Sequence, residues 1–258
     1  MVATRFRHLV DRARRVPAFA WQGFQELLWP ALCHNCRQPA ADDQHGLCQA
    51  CWEELLTCTA GEYCPRCGRD ASRYGLVAGA CPACQGAEQH FDGIARSGVY
   101  ADALQQMILA FKHDGSELAP LLGLLADSTF QGSSLHSEID CLVPVPLHWT
   151  RRLTRGYNQA HVIAKHLTHP TALLVTDLVR IRRTRVQPSA ATPAARARNV
   201  KGAFAVRSDH RFAGRKVCLI DDIKTTGATL NECAKTLKQA GAEKVYALVL
   251  AVAGQRSS

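Results

Sequence analysis

One segment near the C-terminal end decides the fold, and it reads Val217-Cys218-Leu219-Ile220-Asp221-Asp222-Ile223-Lys224-Thr225-Thr226-Gly227-Ala228-Thr229-Leu230. Its four apolar residues predict a buried strand, and the Thr and Gly turn after the two carboxylates predicts the start of a helix. A helix start presents several backbone N–H groups in one direction, and the helix dipole adds about half a positive charge there. The segment therefore predicts a phosphate monoester site at the end of a strand.

The side chains of this segment suit a sugar phosphate. Hydroxyl donors are supplied by Thr225, Thr226 and Thr229. Gly227 permits close approach of a ligand to the backbone. Asp221 and Asp222 stand at the carboxyl end of the strand, the usual ligand edge of an open parallel sheet, where they can accept hydrogen bonds from ribose hydroxyls. The alternative is an ordinary helix start that happens to follow two acids.

The rest of the chain from residue 91 onward alternates between strand and helix patterns. Buried strands are predicted at 141–145, 217–220 and 245–252, and apolar residues at helical spacing predict helices at 104–111, 160–167 and 230–237. This alternation predicts a parallel sheet covered by helices on both faces. The basic stretch at 180–201, which contains Pro188 and Pro193, predicts a mobile loop over a site.

Four C-x-x-C pairs dominate the N-terminal part of the chain. They are Cys33 with Cys36, Cys48 with Cys51, Cys64 with Cys67, and Cys81 with Cys84. Each pair can aim two thiolates at one ion, and Zn²⁺ takes four such ligands at tetrahedral corners, so eight cysteines predict two closed structural zinc sites. Sequential pairing is the simplest arrangement, but a nested or cross-braced one uses the same residues. A redox role for the pairs is the alternative to metal.

Length and composition indicate the class of protein. The chain has 258 residues, of which 47% are apolar. We expect a basic amphipathic helix at 1–29, a cysteine-rich metal domain at 30–90 and an α/β domain at 91–258.

No apolar run reaches the ~18 residues of a membrane span. The N-terminus lacks the pattern of a secretory signal, so we expect a cytoplasmic protein with reduced cysteines. The 31 Lys and Arg against 22 Asp and Glu leave a net charge of +9, which favours phosphate-rich partners.

The segment at 217–230 resembles the phosphoribosyl pyrophosphate (PRPP) motif of type I phosphoribosyltransferases. In that family the loop binds the 5-phosphate, the two acids hold the ribose, and Mg²⁺ bridges the pyrophosphate and the sugar. The resemblance assigns catalytic and ribose-binding roles to Asp221 and Asp222. It assigns phosphate binding to Lys224, Thr225, Thr226, Gly227, Ala228 and Thr229. Magnesium is implied by this resemblance alone.

Further segments resemble the ComF family of competence-associated proteins. They are Pro144-Val145-Pro146-Leu147, the arginines Arg151 and Arg152, Arg155-Gly156-Tyr157-Asn158-Gln159-Ala160, and the loop residues Thr184, Gln187, Arg196, Asn199-Val200 and Gly202-Ala203-Phe204. Together with the cysteine pairs, this resemblance spans residues 30–252. It implies a parallel-sheet type I phosphoribosyltransferase fold behind a small double zinc-ribbon domain. It also implies a pyrophosphate-side group formed by Lys112, Val145, Pro146, Arg151, Arg152, Arg155, Arg196 and Arg198.

Three functions are compatible with these features. The family resemblance implies a role in natural transformation, in which the protein handles single-stranded DNA beside DNA-uptake proteins and keeps a pocket for PRPP or ribose 5-phosphate. Alternatively, the chain is a working phosphoribosyltransferase that joins a base or amine to PRPP, or a zinc-ribbon interaction module. The arginines at 151–155 and 180–198 suit either a nucleic-acid backbone or a pyrophosphate. No segment indicates a nucleobase pocket, which favours the first function, although no aromatic-rich strand offers a platform for DNA bases.

Overall fold

The computed structural model describes residues 31–40, 45–113, 117–148, 156–184 and 192–254. These residues belong to two compact units that are divided between Glu53 and Glu54. The basic helix predicted at 1–29 lies outside the described residues. None of the helices within the described ranges is long and apolar enough to cross a membrane.

Six α-helices and seven strands are found within these ranges. The helices are α1 (Gln49–Thr59), α2 (Asp102–His113), α3 (Ala119–Gln131), α4 (Gln159–His166), α5 (Pro193–Val200) and α6 (Ala228–Gln239). The strands are β1 (Gly93–Val99), β2 (Cys141–Pro144), β3 (Leu173–Leu174), β4 (Leu178–Arg180), β5 (Phe204–Val206), β6 (Lys216–Lys224) and β7 (Lys244–Val252).

The larger unit is built on a five-stranded sheet in the order β1-β7-β6-β2-β3. Every pair in this sheet is parallel, so all five carboxyl ends lie at one edge. Strand β6 is central and pairs with β7 from Lys216 to Lys224. Strands β4 and β5 form a separate antiparallel pair. The predicted parallel α/β architecture is confirmed.

Helices pack on both faces of this sheet because successive side chains of a buried parallel strand point in opposite directions. On one face, Val217 and Leu219 of β6 share a core with Leu230 and Leu237 of α6. Cys218 and Ile220 point to the opposite face and are fully buried. Helices α3 and α4 pack against each other and contact the sheet from that face.

Strand β1 is absent from the sequence-based prediction because it carries polar residues where a buried strand is expected to be apolar. Arg96 is only 4% exposed. Its guanidinium donates to the Gly68 carbonyl oxygen at 2.8 Å and forms an ion pair with Asp70 at 2.5 Å. Both partners come from the cysteine-rich segment, so tertiary contacts make the buried arginine acceptable.

Helix α3 is also absent from the prediction because Pro120 and Gly123 interrupt its apolar pattern. Pro120 lies in the first turn, where the missing backbone N–H costs no hydrogen bond. At Gly123, an added Cβ would lie 2.3 Å from Cγ of His166 in α4. The glycine therefore allows the close packing of two helices.

The loop prediction at 180–201 is wrong for its last part, which forms helix α5. Thr192 caps this helix, because its Oγ1 accepts a hydrogen bond from the Ala195 N–H at 3.2 Å. Pro193 occupies the first helical position, which its fixed φ favours. Pro193, which belongs to the predicted loop, thus begins a helix.

Candidate functional site

The first two cysteine pairs form one group, in which the Sγ atoms of Cys33, Cys36, Cys48 and Cys51 all lie within 4.8 Å of one another. The Cys36 and Cys48 sulfurs are 3.5 Å apart. Tetrahedral Zn–S bonds of about 2.3 Å place ligand sulfurs about 3.8 Å apart, whereas a disulfide needs about 2.0 Å. Burial raises the pKa of the Cys33 thiol, but hydrogen bonds from the backbone of Cys36, Cys48 and Asn35 outweigh it and lower that pKa to about 6.

The last two pairs form a second group in the larger unit, and all four of its cysteines are buried. The sulfurs of Cys67 and Cys81 are 3.6 Å apart, and those of Cys64 and Cys84 are 3.8 Å apart. These separations again fit a tetrahedral zinc site. The pairs are therefore grouped sequentially, and the two tetracysteine groups fit two zinc-ribbon sites.

The second cysteine group is attached directly to the edge of the sheet. The Ile94 N–H of β1 donates to the Pro65 carbonyl oxygen at 2.8 Å, between Cys64 and Cys67. Gly68 has φ +77°, and an added Cβ would lie 3.0 Å from the Val252 side chain of β7. This group and strands β1 and β7 thus form one packed structure.

The predicted phosphate loop lies between β6 and α6, at the carboxyl edge of the sheet. Gly227 is the N-cap of α6, and its φ of 82° is in the left-handed region that favours glycine. Its carbonyl oxygen accepts the first helical hydrogen bond from the Asn231 N–H at 2.8 Å. Arg196 of α5 donates to Oγ1 of Thr225 at 3.1 Å, so helix α5 contacts the loop.

This loop lines a cavity of about 260 Å³. The cavity includes these predicted site residues: Asp221, Lys224, Thr225, Thr226, Gly227, Ala228, Thr229 and Arg196. Arg180, Thr184 and Asn199 also line it, although the sequence analysis assigned them no individual ligand role. Their position in the sequence could have identified them, because all three lie in the basic stretch at 180–201. Thr184 and Asn199 also belong to the loop segment that resembles the ComF family.

The two adjacent carboxylates face different surroundings because they alternate along β6. Asp221 lines the cavity, and its pKa is raised well above the usual range by burial and by the nearby Asp222. Asp222 is not among the residues that line the cavity, and it forms an ion pair with Lys112 of α2 at 2.8 Å. The structure therefore brings Lys112 of the predicted pyrophosphate-side group to one of the two acids.

Of the remaining members of the pyrophosphate-side group, those that the structure describes do not line this cavity. The Val145 N–H donates to the Ile220 carbonyl oxygen at 2.8 Å, and its own carbonyl oxygen accepts from the Asn158 side chain at 3.0 Å. Pro146 and the exposed Arg198 are not among the residues that line the cavity. The predicted ligands Arg151, Arg152 and Arg155 lie outside the described residues.

Lys224 is the most buried cation of the loop, with 6% of its surface exposed. Its ammonium has no hydrogen bond or ion pair with any residue that the structure describes. Burial lowers the pKa of Lys224, while the nearby Cys67 thiolate counteracts this effect. An ammonium in this position can bind an anionic ligand.

Two family models match the chain. The double zinc ribbon domain matches residues 24–87, and the phosphoribosyl transferase domain matches residues 153–258.

Two bacterial relatives match most of the chain. Competence protein F of Haemophilus influenzae is 31% identical over 227 residues, which are 85% of this chain and 96% of the relative. The DNA utilization protein YhgH of Escherichia coli strain K12 is 32% identical over 222 residues, which are 84% and 94% of the two chains.

Among solved structures, glutamine phosphoribosylpyrophosphate amidotransferase from B. subtilis matches 53% of this chain at 22% identity and a TM-score of 0.35. The match spans only 27% of that enzyme.

Proposed function

Because the chain belongs to the ComF family, we propose that it handles single-stranded DNA in the cytoplasm during natural transformation and binds a phosphoribosyl group, as PRPP or ribose 5-phosphate. One observation carries the phosphoribosyl part of this proposal. The phosphate loop, the Lys224 ammonium and the Asp221 carboxylate line a single cavity at the carboxyl end of the central strand.

The size and chemistry of this cavity support a small sugar phosphate. Its volume of about 260 Å³ is below the range of roughly 300–1,000 Å³ that is typical for drug-sized ligands. The N-terminus of α6 and Lys224 favour the phosphate. Asp221 lies in the same cavity, where a carboxylate can accept hydrogen bonds from ribose hydroxyls.

Magnesium fits the donor set as a partner of the ligand. Mg²⁺ prefers oxygen ligands and is usually bound by substrate phosphates and water with few protein carboxylates. In a complex with PRPP, the oxygens of the ligand would bind the ion, and the carboxylates of Asp221 and Asp222 would balance its charge. When bound, magnesium would neutralise the pyrophosphate.

The single-stranded DNA part of the proposal is supported by charge and by the relatives. The net charge of +9 favours a polyanion, and Arg180 and Arg196 both line the cavity beside the phosphate loop. One relative is named for competence and the other for DNA utilization. Within the described residues, no aromatic side chain lines the cavity, which favours backbone binding over a nucleobase pocket of a transferase.

We expect that replacing both acids abolishes binding of PRPP while the fold and the zinc content stay unchanged. Asp221→Asn combined with Asp222→Asn removes the carboxylate in the cavity and the charged neighbour that pairs with Lys112, and the change in shape is minimal. Calorimetric titration with PRPP and Mg²⁺ would measure the affinity of the wild type and of the double variant. Zinc analysis and circular dichroism would report the fold.

Asp209→Asn is the matched control, because Asp209 is exposed and does not line the cavity. It should bind PRPP as the wild type does. An unaltered affinity in the double variant would refute the assignment of the acids. Steady release of pyrophosphate with any base or amine would instead support the transferase alternative.

A further inference from the structure

A second cavity of about 340 Å³ lies on the larger unit, and we call it the ribbon groove. Its lining includes Arg69, Ala83 and Phe91 from the segment of the second cysteine group, and Ala197 from helix α5. The phosphate loop contributes another part of the lining. The groove is therefore formed by three different parts of the sequence.

We call the cavity of about 260 Å³ that is lined by the loop the phosphate cavity. The ribbon groove shares four residues of the loop segment with it. These residues are Lys224, Thr226, Gly227 and Ala228. Helix α5 contributes to both cavities through different residues, because Arg196 and Asn199 line the phosphate cavity and Ala197 lines the groove. A phosphate in the loop would consequently be adjacent to both cavities.

Lys224 provides independent support for an anionic group at this junction. Its side chain is 94% buried, lines both cavities, and has no hydrogen bond or ion pair with the described residues. Because an ammonium on a largely buried side chain gains from a charged hydrogen-bond acceptor, the junction is suited to a phosphate group.

A phosphate monoester would leave the ribbon groove empty, because its one ester group is the ribose in the phosphate cavity. A phosphodiester has a second ester group, which must leave the loop on another side. The ribbon groove offers this second group an apolar wall, formed by Ala83, Phe91 and Ala197. The exposed Arg69 adds a cation that suits the next phosphate of a longer strand.

We propose that the ribbon groove binds the nucleoside on the 5′ side of a phosphodiester whose phosphate lies in the loop at residues 225–229. This inference rests on the proposed function and specifies its ligand as the last two nucleotides of a single strand, whose terminal sugar keeps a free 3′ hydroxyl group. The nucleoside on the 3′ side would place its sugar in the phosphate cavity near Asp221. The second zinc ribbon thereby forms part of the nucleic-acid site.

Calorimetric titrations of the full chain with three ligands distinguish binding in the ribbon groove from binding in the phosphate cavity. Ribose 5-phosphate is a monoester, whereas the methyl ester of thymidine 5′-monophosphate and the dinucleotide TpT are both diesters, and only TpT has a nucleoside on each side. We expect TpT to bind about tenfold tighter than the methyl ester of thymidine 5′-monophosphate, since both are singly charged diesters and contacts with one base typically contribute this much. Equal affinities would overturn the groove proposal and leave the phosphoribosyl site intact.

Two variants that fill the groove from two different segments of the chain test its location. Ala83→Trp and Ala197→Trp should each remove the tenfold advantage of TpT and leave the affinity for ribose 5-phosphate unchanged, because neither alanine lines the phosphate cavity. Ala110→Trp is the control, since Ala110 is exposed on α2 and lines neither cavity. If TpT keeps its advantage in both groove variants with normal zinc content, the proposal is wrong.

A measurement on the wild type avoids dependence on the folding of these variants. TpT with 4-thiothymidine at its 5′ position should crosslink to residues 83–91 or 193–197 under ultraviolet light. Crosslinks elsewhere would overturn the groove proposal. If ribose 5-phosphate itself fails to bind the wild type, the proposed function and the groove proposal both fail.

Discussion

At the scale of single residues, the two neighbouring carboxylates of β6 occupy different environments. Asp222 is neutralised by Lys112 at 2.8 Å. Asp221 faces the phosphate cavity, where burial and the proximity of Asp222 raise its pKa. A carboxylate held in this way destabilises the ligand-free protein, and a ligand that offers hydroxyl groups can offset that cost.

We predict that Asp221→Asn stabilises the ligand-free protein at neutral pH. The raised pKa means that the folded state binds a proton more tightly than the unfolded chain, whose Asp has a pKa of about 3.9. The stability of the wild type therefore falls as pH rises from that value through the folded pKa, and the loss is complete above it. The variant should therefore have a larger free energy of unfolding than the wild type at neutral pH, because it does not carry this buried charge.

Denaturant unfolding at several pH values between 5 and 8 would measure this effect. The advantage of Asp221→Asn should shrink as pH falls, whereas Asp209→Asn should match the wild type throughout. An advantage that grows toward low pH would contradict the assignment of the raised pKa to Asp221.

At the scale of elements, the second zinc ribbon supports the edge of the sheet. It contacts β1 through the Ile94 N–H and through Arg96, which is buried against Asp70 and the Gly68 carbonyl oxygen. The free energy of zinc binding is folding free energy when the metal organises its own site. The stability of the α/β domain should consequently depend on this metal.

Loss of the second zinc is expected to destabilise the α/β domain by several kcal/mol. Cys64→Ser combined with Cys67→Ser should release one zinc ion per chain and lower both the unfolding temperature and the affinity for PRPP. Elemental analysis and calorimetric melting would measure these changes.

Cys33→Ser combined with Cys36→Ser is the matched control, because it also removes one zinc site but from the smaller unit. It should release its zinc and destabilise the N-terminal part, with the melting of the α/β domain unchanged. Equal losses of α/β stability in both double variants would contradict a specific role of the second ribbon.

Elements specified by local patterns could be predicted from the sequence. Strand β6, its Thr and Gly turn and helix α6 follow one another within 24 residues, so apolar spacing and turn chemistry predict them together. The C-x-x-C spacing likewise predicts tetracysteine groups. In both cases the residues that determine the structure are close in the chain.

Elements that depend on tertiary contacts could not be predicted. The buried Arg96 of β1 requires Asp70, and Gly123 of α3 is explained only by His166 of α4. The lining of the ribbon groove includes Arg69 and Lys224, which are far apart in the sequence. No local sequence pattern indicates that they lie close together. The sequence therefore predicted the turn between β6 and α6 but not the second cavity beside it.

At the scale of the whole molecule, the loop at residues 225–229 of this ComF-family protein belongs to the phosphoribosyltransferase part. It lines one groove together with residues of the second zinc ribbon. The phosphate cavity and the ribbon groove both use this loop. If the loop binds a phosphate of the DNA backbone, the same site cannot hold PRPP at the same time. Binding of the sugar phosphate and binding of the strand should therefore exclude each other.

Competition between PRPP and single-stranded DNA tests most directly whether the loop binds DNA. The wild-type protein would be titrated calorimetrically with PRPP and Mg²⁺ in the presence and absence of a short single-stranded oligonucleotide. We predict that the apparent affinity for PRPP falls as the oligonucleotide concentration rises. An affinity for PRPP that is the same at every oligonucleotide concentration would contradict a shared site and favour phosphoribosyltransferase activity.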